Sequence, residues 1–382
     1  MTLVTDADRD ASSEQSPRQR LWHASRSATR LLSNERPSAL AERLAALAAS
    51  PNASTGEPVD TYGGGIVERL ESRVAGLLGK PAALWFPSGT IAQQAMLRVW
   101  AARAGTSRVA VHPLHHTQVN EEGAFTALSG LEPVLLTTDP RQPTADDLAE
   151  TPGPLAAAVV ELPMQELGYV LPTWEEYERF AAVARERSVP VHVDGARLWE
   201  SQHHFARSAA EIAALASSVY VSMYKGVGGL SGALVASDAD AVEEARVWRT
   251  RYGGDLFQQF PAIVAALDGL DGRLDRMPVW ARQAAVIAEG LSSLPHLTVT
   301  PNPPHICEFW VYADLPPDAL NRAVLEHLEA VGERWVHGWW PDDDGRAVAE
   351  VTVRDAALSW TAEDVERAGR SVLQRAADLS AP

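Results

Sequence analysis

The sequence predicts an α/β protein: one large domain on a mostly parallel seven-stranded sheet, followed by a small C-terminal α+β domain. Three observations carry this expectation. Short apolar runs alternate with helical stretches through the middle of the chain, as they do where crossover helices cover both faces of a parallel sheet. The chain has 382 residues, 46% apolar and 22% charged, enough to bury a sizeable core and divide into two or three domains. After about residue 270 the regular alternation stops, and longer helix-forming stretches are mixed with isolated strands.

In chain order, residues 1–20 are polar and lack an apolar period that could offset the entropy of ordering, so they read as a loose tail. Residues 21–55 read as a helical arm: apolar positions in SALAERLAALAAS recur at helical spacing until Pro51, Asn52 and Gly56 stop the helix. The large domain spans 56–270. Its seven strands are expected at 82–86, 108–112, 133–137, 156–162, 190–193, 218–222 and 232–237. A helix follows Thr90 with Ile91, Ala92, Ala95, Met96, Val99 and Trp100 as its apolar stripe, and another opens on the capping box from Thr173 to Glu176. Residues 271–382 form the small domain. It should hold a helix around RQAAVIAEGLSSL, a strand at EFWVYA, a helix from Pro316, a strand at 348–354 and a last helix starting at Thr361. The acidic turn Asp342 to Asp344 reads as solvated surface.

Charge and cysteine usage exclude several function classes. Lys plus Arg is 33 against 50 Asp plus Glu, a net charge of -17, which repels phosphate backbones and anionic lipid heads. Neither nucleic acid nor a membrane is an expected partner. Cys307 is the single cysteine, so no internal disulfide or cysteine-rich zinc site can form, and a reducing cytoplasm is the expected compartment. The chain has no run of about 18 apolar residues, and its N-terminus lacks the basic-then-apolar order of a signal peptide.

The chemistry concentrates at strand ends. One buried strand closes on Asp194 and the next closes just before Lys225, which places both at the carboxyl edge of one sheet, where open α/β sheets bind ligands. These two alone could be a plain salt bridge. A third element is Pro87-Ser88-Gly89-Thr90 at a strand-to-helix turn, where free N–H groups and the helix dipole favour a phosphate, with Gly89 giving close access and Thr90 a hydroxyl. By itself this turn could be only an N-cap. Together the three describe a site for pyridoxal 5′-phosphate: a lysine to hold it covalently, a carboxylate to keep its ring nitrogen protonated, and a helix N-terminus for its phosphate.

The segments Asp60-Thr-Tyr-Gly63, Leu84 to Thr90, His116 with Glu121, Asp194-Gly-Ala-Arg197, Lys225-Gly226 and Gly253-Gly254 resemble, in order and spacing, the threonine aldolase and β-eliminating lyase family of fold-type I pyridoxal phosphate enzymes. The resemblance covers Asp60 to about Asp271. It implies Lys225 as the covalent lysine, Asp194 as the partner of the ring nitrogen, and Ser88, Gly89 and Thr90 at the phosphate. His116 would lie against the ring, with His115 beside it leaving the register open. Arg197 would fork onto the substrate carboxylate, near the cofactor, or else pair with Asp194 or Glu200. Tyr62 and Met164 would complete the substrate side. The resemblance also implies an amino-acid substrate and a homodimer or homotetramer.

Some positions depart from that family. Met164 stands where threonine aldolases carry a histidine, and it can neither accept nor donate a proton. Phe257 stands where an arginine is expected, and the second carboxylate-binding position falls on Glu350 or Arg354. The family's N-terminal motif is not recognisable. The resemblance implies a lyase that cleaves or forms the Cα–Cβ bond of a β-hydroxy-α-amino acid, giving glycine and an aldehyde. Alternatives are β-elimination, racemisation or transamination on the same cofactor, or a binding subunit that kept the fold without the chemistry. No metal is expected, because the adjacent His203 and His204 point to different sides and lack acidic partners at ligand spacing. The aromatic group of Trp335, Trp339, Trp340 and His337 reads as packing rather than as a cover for the site.

Overall fold

A computed structural model describes residues 16–381. They divide into two compact units, a large one of 40–288 with 299–310 and a small one of 16–39, 289–298 and 311–381.

The large unit holds the seven strands β1 (Ala82–Phe86), β2 (Arg108–Val111), β3 (Glu132–Leu135), β4 (Ala157–Glu161), β5 (Val191–Gly195), β6 (Ser218–Ser222) and β7 (Ala233–Ser237). They form one sheet in the order β1-β7-β6-β5-β4-β2-β3. Only β7 runs antiparallel, to β1 and to β6; the remaining neighbours are parallel. Every residue of β4, β5, β6 and β7 is buried, which is why these strands read as unbroken apolar runs rather than as an alternation. The register aligns Glu161 with Asp194, and Asp194 with Tyr220, so three polar side chains share one rank at the carboxyl ends of β4, β5 and β6.

The helix Gly89–Ala104 lies on the sheet. Leu84, Phe86, Val109, Val159 and Val235 pack with its Ala92, Ala95, Met96, Val99 and Trp100 in one buried cluster. Its N-cap Ser88 accepts from Ile91 N at 3.4 Å, and it ends at Gly105 in the left-handed conformation. The capping box at Thr173 and Glu176 opens the helix Trp174–Glu186 as the sequence predicts.

In the small unit the helices Pro317–Val331 and Ala362–Ser380 pack together, and Trp335 donates to Val365 O at 3.2 Å. Trp335 and Trp339 are core, with ring centroids 6.3 Å apart, whereas Trp340 is 40% exposed. The N-terminal segment belongs to this unit rather than forming a single arm with residues 40–55. Residues 30–31 pair in parallel with 333–334, and Arg30 reaches Asp364 at 2.6 Å and Glu333 at 3.1 Å. Residues 17–20, expected to be part of a tail, begin the helix Pro17–Ser27: Ser16 and Gln19 cap each other's backbone, and Arg20 pairs with Glu329. The rest of that tail lies outside the described residues. The helix Leu40–Ala48 forms where the arm was expected but buries none of its residues.

Candidate functional site

A cavity of about 300 Å³ opens at the carboxyl ends of the central strands. Its walls come from the turn after β1, the rank of polar residues on β4 to β6, and the loop after β6.

Ser88, Gly89 and Thr90 line one end, where the first amides of the helix Gly89–Ala104 have no intrahelical acceptor and the dipole favours an anion. The glycine has a further cause here. A Cβ at position 89 would collide with the hydroxyl of Tyr220, so the side chain is excluded by the packed sheet itself as well as by any ligand.

Lys225 lines the cavity on the loop between β6 and β7. Met223 N bonds Gly232 O at 3.0 Å, and Gly228 N bonds Lys225 O at 2.9 Å, so the backbone folds back on both sides of the lysine. Its Nζ lies 5.2 Å from the centre of the Tyr224 ring, a cation–π distance.

Asp194 stands at the cavity floor with both oxygens engaged. Oδ1 accepts from Ala196 N at 3.1 Å, Oδ2 accepts from Gln93 Nε2, and His115 Nε2 lies 3.4 Å from Oδ2. Burial works against its charge, but His115, aided by His116 and the Ala196 N–H, more than offsets this and holds the carboxyl below its ordinary range. Burial likewise opposes the charge on His115, yet Asp194 and Glu161 win and raise its imidazole above the usual value. In the neighbouring rank position, burial pushes Glu161 up, with the Asp194 charge adding to it and His115 opposing.

The two histidines divide cleanly. His115 is fully buried beneath the floor because its Nδ1 turns back to accept from Thr117 N at 3.2 Å, capping the short helix His116–Val119. His116 lines the cavity, with Nδ1 3.4 Å from Glu121 Oε1, and this carboxylate raises its pKa. Glu121 is held in turn by Gln94 Nε2 at 2.9 Å, whose Oε1 accepts from Ser129.

The substrate side differs from the sequence expectation. Arg197 is buried and pairs through Nε with Glu308; its Nη1 donates to Gln165 Oε1 at 3.1 Å and its Nη2 to Tyr169 Oη at 3.2 Å. Arg197 does not line the cavity itself, although Gln165 does. Met164 is 1% exposed and outside the lining, because its N–H bonds Val170 O at 2.9 Å and the chain turns there. The residue this turn presents to the cavity is Gln165, whose N–H donates to Glu161 Oε1 at 3.1 Å. Tyr62 is 59% exposed, edge-on to Phe257 at 5.5 Å, and likewise outside the lining.

Sequence reasoning did not single out Gln93, Gln165, Tyr220 or Tyr224, all of which line the cavity. Tyr220 carried a usable signal, since it lies on the strand that leads to Lys225 and alternates onto the face of Ser218. Among the described residues no group of three or more His, Cys, Asp or Glu side chains is arranged to hold a metal ion.

The profile of the beta-eliminating lyase family matches residues 45–313. A crystal structure of a protein assigned as an L-allo-threonine aldolase, from Listeria monocytogenes EGD-E, is similar at a TM-score of 0.86 and 33% identity, covering 94% of this chain and 100% of that one. Another, of a protein assigned as an aromatic amino acid beta-eliminating lyase/threonine aldolase from Exiguobacterium sp. 255-15, gives 0.86 and 34%, covering 93% and 99%. A protein assigned as low-specificity L-threonine aldolase 2 from Arabidopsis thaliana is 27% identical over 283 residues, 69% of this chain and 77% of its own.

Proposed function

The chain belongs to the beta-eliminating lyase family, and from that premise we propose how its cavity works as a pyridoxal 5′-phosphate lyase of the threonine aldolase type. Such an enzyme cleaves or forms the Cα–Cβ bond of a β-hydroxy-α-amino acid, with glycine and an aldehyde on the other side of the reaction. One observation carries the reading: Lys225, Asp194 and the N-terminus of the helix Gly89–Ala104 open onto one cavity.

The donor set fits the cofactor. Lys225 would hold it covalently, Ser88 and Thr90 with the first helix amides would take its phosphate, and the ionised Asp194 would keep its ring nitrogen protonated. When bound, the cofactor supplies an electron-withdrawing ring that takes up charge from the α-carbon. His116 lines the cavity and can exchange a proton there. With Nδ1 facing Glu121, Nε2 would take the β-hydroxyl proton as the Cα–Cβ bond breaks, and return a proton in the reverse direction. Gln165, aligned by Arg197 and Glu161, would orient the substrate by hydrogen bonds. Arg197 then acts on the substrate through Gln165, with its own charge shared with Glu308.

Two further expectations belong to the same proposal. The bare helix Leu40–Ala48, with Leu40 76% and Leu44 58% exposed, would be covered by a second copy in a homodimer or homotetramer. The buried Cys307, the single cysteine of the sequence, suits the cytoplasm, and among the described residues no helix is long and apolar enough to cross a membrane.

The test is a product assay. The purified protein with pyridoxal 5′-phosphate is given threonine, allo-threonine, phenylserine and serine, and glycine, aldehyde, ammonia and keto acid are measured. Glycine and aldehyde in equal amounts from at least one β-hydroxy amino acid are expected. Ammonia and keto acid without glycine would move the reading to β-elimination.

A further inference from the structure

A buried run of hydrogen bonds leads from the core to Asp194. Trp100 Nε1 donates to Ser218 Oγ at 2.9 Å, and Ser218 Oγ lies 2.8 Å from His192 Nδ1. His192 Nε2 lies 2.7 Å from Gln93 Oε1, and Gln93 Nε2 donates to Asp194 Oδ2. All five side chains are buried.

Regular structure assembles the run. Gln93 and Trp100 are seven residues apart and so share a face of the helix Gly89–Ala104. His192 and Asp194 are two apart on β5, and so point the same way. Ser218 is the register neighbour of His192 on β6.

The chemistry of the two ends fixes its direction. An ionised carboxylate only accepts, so Gln93 must turn its amide N–H₂ to Asp194 and its Oε1 to His192. His192 Nε2 must then carry the proton, which leaves Nδ1 as the acceptor for the Ser218 hydroxyl. Ser218 in turn has a lone pair for Trp100, whose indole can only donate. Burial pushes the His192 pKa down to about 4, so the ring is neutral near pH 7 and each of its nitrogens has one role.

We propose that Gln93, His192 and Ser218 are positioning residues that deliver a hydrogen bond of fixed direction to Asp194 and so hold its carboxylate charged and aimed at a protonated ring nitrogen. The aim toward a ring nitrogen rests on the cofactor reading above; the direction of the run does not. With the run reversed, Gln93 Oε1 would face a carboxylate oxygen, a repulsion that only protonation of Asp194 would relieve. A polar cluster that merely satisfied its own core groups would share that direction but would need no link to the ring nitrogen.

Two measurements on the full-length protein test this. First, ¹⁵N NMR of histidine-labelled protein without added cofactor reads the tautomer of His192, identified as the ring whose Nδ1 signal moves in Ser218→Ala. A neutral ring protonated at Nε2 is expected. A ring protonated at Nδ1, or at both nitrogens near pH 7, overturns the proposal. Second, dissociation constants are measured for pyridoxal 5′-phosphate and for its analogue with CH in place of the ring nitrogen. Gln93→Met should weaken the first by about 10- to 100-fold, the range for one hydrogen bond to a charged group, and the second by no more than about twofold. Equal losses for both, or no loss, would show a purely structural role. Failure of the unaltered protein to bind pyridoxal 5′-phosphate would instead count against the cofactor reading, while the tautomer would still decide the direction of the run.

Discussion

Adding one methyl group at Gly89 tests how closely the anion end of the cavity is tied to the sheet. In Gly89→Ala the new Cβ runs into the Tyr220 hydroxyl, and the ring carbon that bears it is 3.0 Å away. Alanine in a helix is worth about 0.5–1 kcal/mol over glycine, whereas forcing a methyl into a packed site costs about 1–3 kcal/mol. The net loss should therefore lie between about 0 and 2.5 kcal/mol. Tyr220→Phe removes the oxygen and should cost about 1 kcal/mol by itself, through its lost hydrogen bonding. In that background Gly89→Ala should cost less, because the oxygen contact is gone and only the ring-carbon contacts at 3.0 and 3.4 Å remain to be relieved. Urea unfolding of the four proteins should give a coupling of at least about 1 kcal/mol. Additivity within about 0.5 kcal/mol would refute the contact as the reason for the glycine. Cofactor affinity should fall in Gly89→Ala and recover in the double variant, since the displaced turn carries the phosphate-facing amides.

Lys225→Ala should leave the fold intact and abolish the visible absorption of the covalently held cofactor; retention of that band with full turnover would rule the lysine out. In Glu121→Gln, His116 loses the carboxylate that raises its pKa, so the acid limb of the pH–rate profile, where His116 must be neutral to act as base, should move to lower pH. The same raised pKa stabilises the native state below the unfolded value of His116 and is lost as pH rises through the folded one, so the stability gap between Glu121→Gln and the unaltered protein should be larger at pH 5 than at pH 8. Leu40→Glu with Leu44→Glu should leave the melting temperature nearly unchanged, because neither side chain is buried, but should lower the assembly state seen by sedimentation.

The sheet was legible because its central strands are buried on both faces and so appear as apolar runs bounded by turn residues. Asp194 and Lys225 were legible for the same reason: each ends or follows such a run. What the sequence hid depends on tertiary parity. After β4 one residue decides which side chain faces the cavity, and the bond from Met164 N to Val170 O selects Gln165. Arg197 was expected near ligand carboxylates, but one of its partners, Glu308, lies 111 residues further along, beyond the reach of local pattern. The placement of residues 17–39 with the small unit rests on ion pairs from Arg20 and Arg30, on Leu31 packed in one cluster with Leu328, and on a two-residue strand too short to leave a periodic trace. Neutral amides such as Gln93 and Gln94 carry no motif at all, and their importance appears only once their carboxylate partners are in place.

Those two adjacent glutamines sit in the second turn of the helix whose first turn faces the anion end. Gln93 holds Asp194, and Gln94 holds Glu121, which faces His116. One rigid rod thus sets three adjustments that could otherwise have been tuned separately: the height of the phosphate seat, the tilt of the ring-nitrogen carboxylate and the basicity of the histidine on the open side. A slip of the rod by a fraction of an ångström would detune all three in concert. Natural variation in this region should therefore be found in the loops that bring substrate to the cavity, and changes along the rod should survive only in matched sets.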